Sequence, residues 1–183
     1  TPVLLLVDIP DAGLDTVTID DNDGAFRALG HLCQMGHRTI AMVDGGRSAG
    51  NLDKWAGAQR ALREQGLPLE GLSVFEPSGH APSDAYDLMN EIVSQSPRPT
   101  AVFATTDSLA VGVLHWCRDN DVSVPDQLAV IGYDHTQASR HSVPPLTTVN
   151  YAADEISRIG VKRILQRLDA TKTWDGPTTS LIQ

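Results

Sequence analysis

Three short stretches of this sequence could carry chemistry. Gly46-Arg47-Ser48-Ala49-Gly50 matches G-x-S-x-G, the pattern in which a serine on a sharp turn attacks an acyl carbon, and Asp134 and His141 follow it in the order Ser…Asp…His. Thr105-Thr106-Asp107 sets two hydroxyls and a carboxylate where an apolar run gives way to a helical pattern. Such a group is a helix cap, a catalytic group or one wall of a ligand pocket. Tyr133-Asp134-His135 closes the apolar run Leu-Ala-Val-Ile-Gly. The segment after it runs irregularly to Pro144-Pro145, with no helix to cap, so Asp134 reads as a carboxylate aimed from a strand tip into a cleft. There it can accept two hydroxyl or amine protons of a ligand.

The hydrolase reading is the weakest of these. A nucleophile elbow needs its serine directly off the strand, but Asp44, Gly45 and Gly46 follow Val43, Asn51 opens a separate helix, and no HGGG-like segment supplies an oxyanion hole. A serine hydrolase using Ser48 therefore stays a remote alternative, and no catalytic residue is expected. No G-x-G-x-x-G follows a strand and no P-loop lysine pattern occurs. The six histidines are scattered without H-E-x-x-H or zinc-type Cys/His spacing, so neither a metal nor a cofactor is expected. Cys33 and Cys117 each lie among apolar residues of a helical pattern and read as buried thiols in a reducing compartment.

The elements that must position these residues alternate along the chain. Apolar β-type runs fall at residues 3–7, 17–19, 39–43, 72–75, 101–104, 128–132 and 147–149. Short continuous apolar runs of this kind suit a parallel sheet covered on both faces. Helical patterns fall at 20–36, 51–65, 82–95, 107–120 and 153–168, with Gly36 and Gly66 as stops and Pro82 in a first turn. The alternation predicts an α/β, Rossmann-like parallel sheet flanked by helices, with ligands outside the carboxyl ends of the strands. Between Thr106 and Asp107, the cap is assigned to Asp107 and the ligand to Thr106.

Composition narrows the function further. The 183 residues carry a formal charge of −9, with no basic run and no aromatic ladder, so this chain is not expected to hold nucleic acid itself. No stretch approaches the ~20 apolar residues that span a bilayer, and no membrane partner is expected. The chain opens on TPVLLLVD, a strand pattern without a signal-peptide profile, and reads as a piece of something longer.

Four segments, in order and covering essentially the whole chain, resemble the effector-binding domain of lac-repressor-type (LacI/GalR) bacterial transcriptional regulators. They are HLCQMGHRTIAMVDG, RPTAVFATTDSLAVGVL, VSVPDQLAVIGYDH and VPPLTTVNYAADEISRIGVKRIL. The resemblance implies a two-lobed, periplasmic-binding-protein-like type I fold, here mainly its C-terminal lobe. Residues 1–18 would end the N-terminal lobe, 19–149 form the C-terminal lobe, 150–173 supply a helix of the N-terminal lobe, and 174–183 return toward the C-terminal lobe. It implies a sugar or related metabolite as effector, a homodimer, a cytoplasmic location, and operator DNA bound only through a helix-turn-helix headpiece outside this chain. An extracytoplasmic sugar receptor of the same fold is the alternative.

Carried over by position, the effector contacts implied are Asp134, Thr106 in place of the family's Asn, Lys54 in place of its Arg, Asp8 at the end of the first strand, and His80 at a lid position. Thr keeps a hydroxyl but loses the second donor of an amide, and Lys keeps the charge without the planar fork. The dimer contacts implied are Leu109, Val111, Val113, His141 and Val143, with core packing as the other reading of Leu109 and Val113.

Overall fold

The computed structural model describes residues 2–7, 9, 12–45, 51–169 and 176–182. Among the described residues the strands form two sheets, and every pairing in them is parallel. The larger sheet holds β3 (Ile40–Val43), β4 (Leu72–Phe75), β5 (Ala101–Ala104), β6 (Ala129–Asp134) and β7 (Thr147–Asn150) in the order β4-β3-β5-β6-β7. The smaller holds β1 (Leu4–Leu5), β2 (Asp15–Ile19) and β8 (Thr179–Ile182) in the order β1-β2-β8.

Alternation along each strand builds two cores from one sheet. In β5, Ala101 and Phe103 pack with α1 (Asp21–Gln34) and α2 (Asn51–Glu64), whereas Val102 and Ala104 pack with α3 (Pro82–Val93) and α4 (Asp107–Asp119). All four β5 side chains are fully buried, which is why the strand reads as a continuous apolar run. The helix ends follow from local chemistry. Asp20 caps α1 by accepting the Asp23 N–H at 2.9 Å, and Gly36 at φ +96 ends it, with His37 N–H reaching back to Leu32 C=O at 3.1 Å. Gly66 ends α2 in the same way, through Leu67 N–H to Leu62 C=O at 2.9 Å.

The chain leaves the small sheet at Asp20, after β2, and returns to it through Tyr151 and Ala152, after β7. The segment expected to run irregularly from Asp134 to Pro144-Pro145 holds a short helix, α5 (Gln137–Arg140), capped by Thr136. After β7, α6 (Ala153–Leu168) packs Ile156 onto Val17 and Ile182 in the small sheet. Asp15 clamps this sheet: its carboxylate takes Arg167 Nε at 2.5 Å, Arg167 Nη2 at 2.6 Å and the Thr178 N–H at 2.9 Å.

Two further expectations need correction. The tail was expected to head for the C-terminal lobe, but Thr179–Ile182 is β8 and pairs with β2, because the parallel register Thr16↔Thr179 through Ile19↔Ile182 satisfies its backbone in the small sheet. Leu109 and Val113, expected at a dimer surface, have 0% exposure. They fill the core between α4, α3 and the sheet, so a second copy cannot touch them. Val111 is half-buried, His141 is exposed, and Val143 is 88% exposed.

Candidate functional site

Counted from its first strand, the larger sheet has the order 2-1-3-4-5, and its connections reverse between β3 and β5. In open parallel sheets of this kind the ligand crevice lies at that reversal, outside the carboxyl ends of the strands. The residues there are polar and mutually bonded. Asp44 and Gly45 follow β3, and Thr105 follows β5. The fully buried Thr105 hydroxyl accepts the Gly45 N–H at 3.2 Å and lies 3.4 Å from Asp44 Oδ1. The exposed His80 ring covers Gly45 so closely that a Cβ there would sit 2.4 Å from it. The His80 carbonyl is held by the Ser108 hydroxyl at 2.8 Å, so the loop before α3 is tied to the start of α4 at the crevice mouth.

The Thr-Thr-Asp stretch divides its labour differently from the expectation. Thr106 is the N-cap of α4, its hydroxyl accepting the Leu109 N–H at 3.3 Å. Asp107 turns inward with 0% exposure and accepts the Thr136 N–H at 2.6 Å, the Thr136 hydroxyl at 3.0 Å and the Thr148 hydroxyl at 2.5 Å. The cap goes to the residue with extended backbone (Thr106, φ −142°, ψ 155°), which orients its hydroxyl over the first helical N–H groups. Thr106 remains half-buried on the rim.

Asp134 ends β6, half-buried, with φ +113°, and His135 follows at φ +58°. Two successive left-handed side-chain-bearing residues cost about 1–3 kcal/mol each and persist only where the surroundings over-determine them. Burial pushes the Asp134 carboxyl up to about 6; the Lys54 ammonium opposes this, and the negative charges of Asp107 and Asp21 add to it. Lys54 is only 7% exposed. Its Nζ lies 3.3 Å from Asp21 Oδ1 and 4.3 Å above the centre of the Tyr133 ring. The Tyr133 phenol is raised by burial and then by the charge of Asp21.

Thr106 and Asp134 thus follow the carboxyl ends of the neighbouring strands β5 and β6, His80 lies over Gly45 after β3, and Lys54 is buried against Asp21 and Tyr133. Asp8 and the G-x-S-x-G stretch with Ser48 lie outside the described residues. Sequence reasoning missed Asp21 as the partner of Lys54. Its one signal was an aspartate in the first turn of α1, which reads equally well as a helix-dipole partner. Among the described residues, no group of three or more His, Cys, Asp or Glu could hold a metal ion, and no helix is long and apolar enough to cross a membrane.

Comparison with known proteins agrees with this fold. Residues 29–181 match the model of the periplasmic binding protein-like domain. The HTH-type transcriptional repressor PurR of Haemophilus influenzae (strain PittEE) is 31% identical over 165 residues, covering 87% of this chain and 47% of the repressor. A LacI-family transcriptional regulator of Sanguibacter keddieii superposes with a TM-score of 0.90 at 27% identity, covering 100% of this chain and 70% of that one. A LacI-family regulator of Enterococcus faecium with bound ribose gives 0.88 at 25% identity, covering 100% and 68%. The chain spans about half the length of the curated relatives it matches.

Proposed function

Since this chain belongs to the periplasmic binding protein-like domain family, in the form found in LacI-type regulators, we propose that it is the effector-binding and dimerisation part of such a transcriptional regulator. The effector is a small polar metabolite of the sugar or nucleoside class, a reading supported by the ribose bound to the Enterococcus faecium relative. The role is binding without catalysis, in a cytoplasmic protein whose operator is held by a helix-turn-helix headpiece.

What supports this reading is that Asp44 and Gly45, Thr105 and Thr106, and Asp134 follow the carboxyl ends of β3, β5 and β6, the adjacent strands at and beside the order reversal, with His80 over Gly45. Asp134 accepts hydroxyl protons of the effector, Thr106 adds a hydroxyl, Lys54 supplies charge and His80 covers an open face. Residues 20–149 make one lobe, and residues 2–19 with α6 and β8 contribute to the other. The exposed His141 and Val143, with Val111, meet a second copy across a two-fold axis. Effector binding between the lobes biases the dimer between DNA-binding and non-binding states by its difference in affinity for the two.

A thermal-shift screen of pentoses, hexoses, nucleosides and nucleobases on the intact protein tests this, because a compound that binds the native state raises Tm. At least one compound in these classes should raise Tm and change operator affinity. Stabilisation by none of them, or by a compound that leaves operator affinity unchanged, would contradict the proposal.

A further inference from the structure

The rim carboxylate Asp134 is held by a residue that the effector does not reach. Asp107 is wholly buried, yet its carboxylate has three donors: the Thr136 N–H at 2.6 Å, the Thr136 hydroxyl at 3.0 Å and the Thr148 hydroxyl at 2.5 Å. Those donors bracket the strained pair. Thr136 follows Asp134 (φ +113°) and His135 (φ +58°) directly, and the Thr148 oxygen also accepts the His135 N–H at 3.4 Å. The Asp107 backbone N–H in turn favours the charged form of Asp134. Strand β6 approaches so closely that a Cβ on Gly132 would lie 2.5 Å from Asp107 Oδ1. One residue thus joins the tip of β6, the side of β7 and the first turn of α4 around the Asp134 backbone.

We propose that Asp107 is the positioning residue of the effector site. Its buried carboxylate locks Thr136 and Thr148, and the lock holds Asp134 and His135 left-handed so that the Asp134 carboxylate faces Lys54 and the crevice. The proposal rests on the reading of Asp134 as the effector carboxylate, but its test does not require the effector.

The test compares wild type with Asp107→Asn by NMR on the intact protein, following amide hydrogen exchange at Thr136 and the 13C titration of the Asp134 carboxyl. An Asn oxygen in place of Oδ2 can still accept from Thr136, but as a neutral group, and its Nδ2 cannot accept from the Thr148 hydroxyl. Loss of bonds to a charged group should speed Thr136 exchange by ~tenfold or more. Removing the neighbouring negative charge should also move the Asp134 midpoint downward from about 6, a shift that reports the proximity of the charge, whereas the lock itself is read from Thr136 exchange. Unchanged Thr136 protection in Asp107→Asn would overturn the proposal.

If Asp107→Asn does not fold, the double variant Thr136→Val/Thr148→Val decides. It leaves the buried charge with one donor of three and should speed exchange of the amide at position 136, whereas Thr136→Ser should keep the wild-type rate. Equal protection in the double variant and wild type would overturn the proposal equally. Asp134→Ala separates the two readings: it weakens effector binding if the site assignment is right, and leaves the Asp107–Thr136 bond protected either way.

Discussion

Replacing Asp134 by Asn should make the protein more stable at neutral pH while impairing its binding site. Asn occupies the same volume and tolerates a positive φ, so the backbone at +113° is carried over with little added strain. What changes is the charge. Burial lifts the Asp134 carboxyl from 3.8 to about 6, with Asp107 and Asp21 adding to the lift and Lys54 only partly offsetting it. At ~1.36 kcal/mol per pH unit this gap corresponds to ~3 kcal/mol. The group is half-buried, and solvent screening reduces the figure to ~1–2 kcal/mol. Because the folded value is raised above the unfolded one, protonated Asp134 contributes its stability below about pH 3.8, and that contribution is lost as pH rises through about 6. Urea denaturation at pH 8 should therefore find Asp134→Asn more stable by ~1–2 kcal/mol, the difference closing towards pH 4. A variant less stable than wild type by the same amount at both pH values would refute the reasoning, since hydrogen bonding rather than burial would then dominate at this carboxylate.

Three further outcomes are expected. Lys54→Met should destabilise by ~3–5 kcal/mol, because the Lys54–Asp21 pair has side-chain exposures of only 9% and 11% and the change strands the carboxylate; adding Asp21→Asn should recover most of the loss in a double-mutant cycle. The Arg167 guanidinium holds Asp15 down at about 2, so its contribution is present above about 3.8 and lost as pH falls through about 2. Asp15→Asn should accordingly cost ~2–4 kcal/mol at pH 7 and much less near pH 2, measured by chemical denaturation. Burial raises the Cys117 thiol to about 11, so a thiol reagent should label it in native protein only as fast as the chain opens, and at full speed in urea.

Much of the fold was legible because its strands are buried on both faces. The runs at 40–43 and 101–104 have no polar residue to blur them, and Gly36 and Gly66 mark helix ends that the backbone then uses. The strand β8 escaped notice because its four residues alternate in exposure and begin with Thr and Ser, which read as loop. The dimer surface was misread at Leu109 and Val113 for a related reason. A helix wedged between a sheet and another helix needs apolar residues on more than one face, and that pattern looks like an outward patch in one dimension. At the site, Asp134 declared itself by ending an apolar run, although the helix expected to be absent after it is present at Gln137–Arg140 and is capped by Thr136 instead. The transfer of the cap from Asp107 to Thr106 did not declare itself, since adjacent capping residues compete for the same N–H groups and only the direction in which β5 exits decides between them. The Asp21–Lys54 pair was invisible because it depends on how α1 and α2 pack across 33 residues of sequence.

The central claim is that the rim around Asp134 binds a metabolite. Titration calorimetry on the intact protein, with a compound that raises Tm in the screen, tests it most directly. Asp134→Ala should weaken binding by ~1.5–3 kcal/mol, the range for a hydrogen bond to a charged group. An Asp134→Ala titration that matches wild type would contradict the account and move the effector to another part of the molecule.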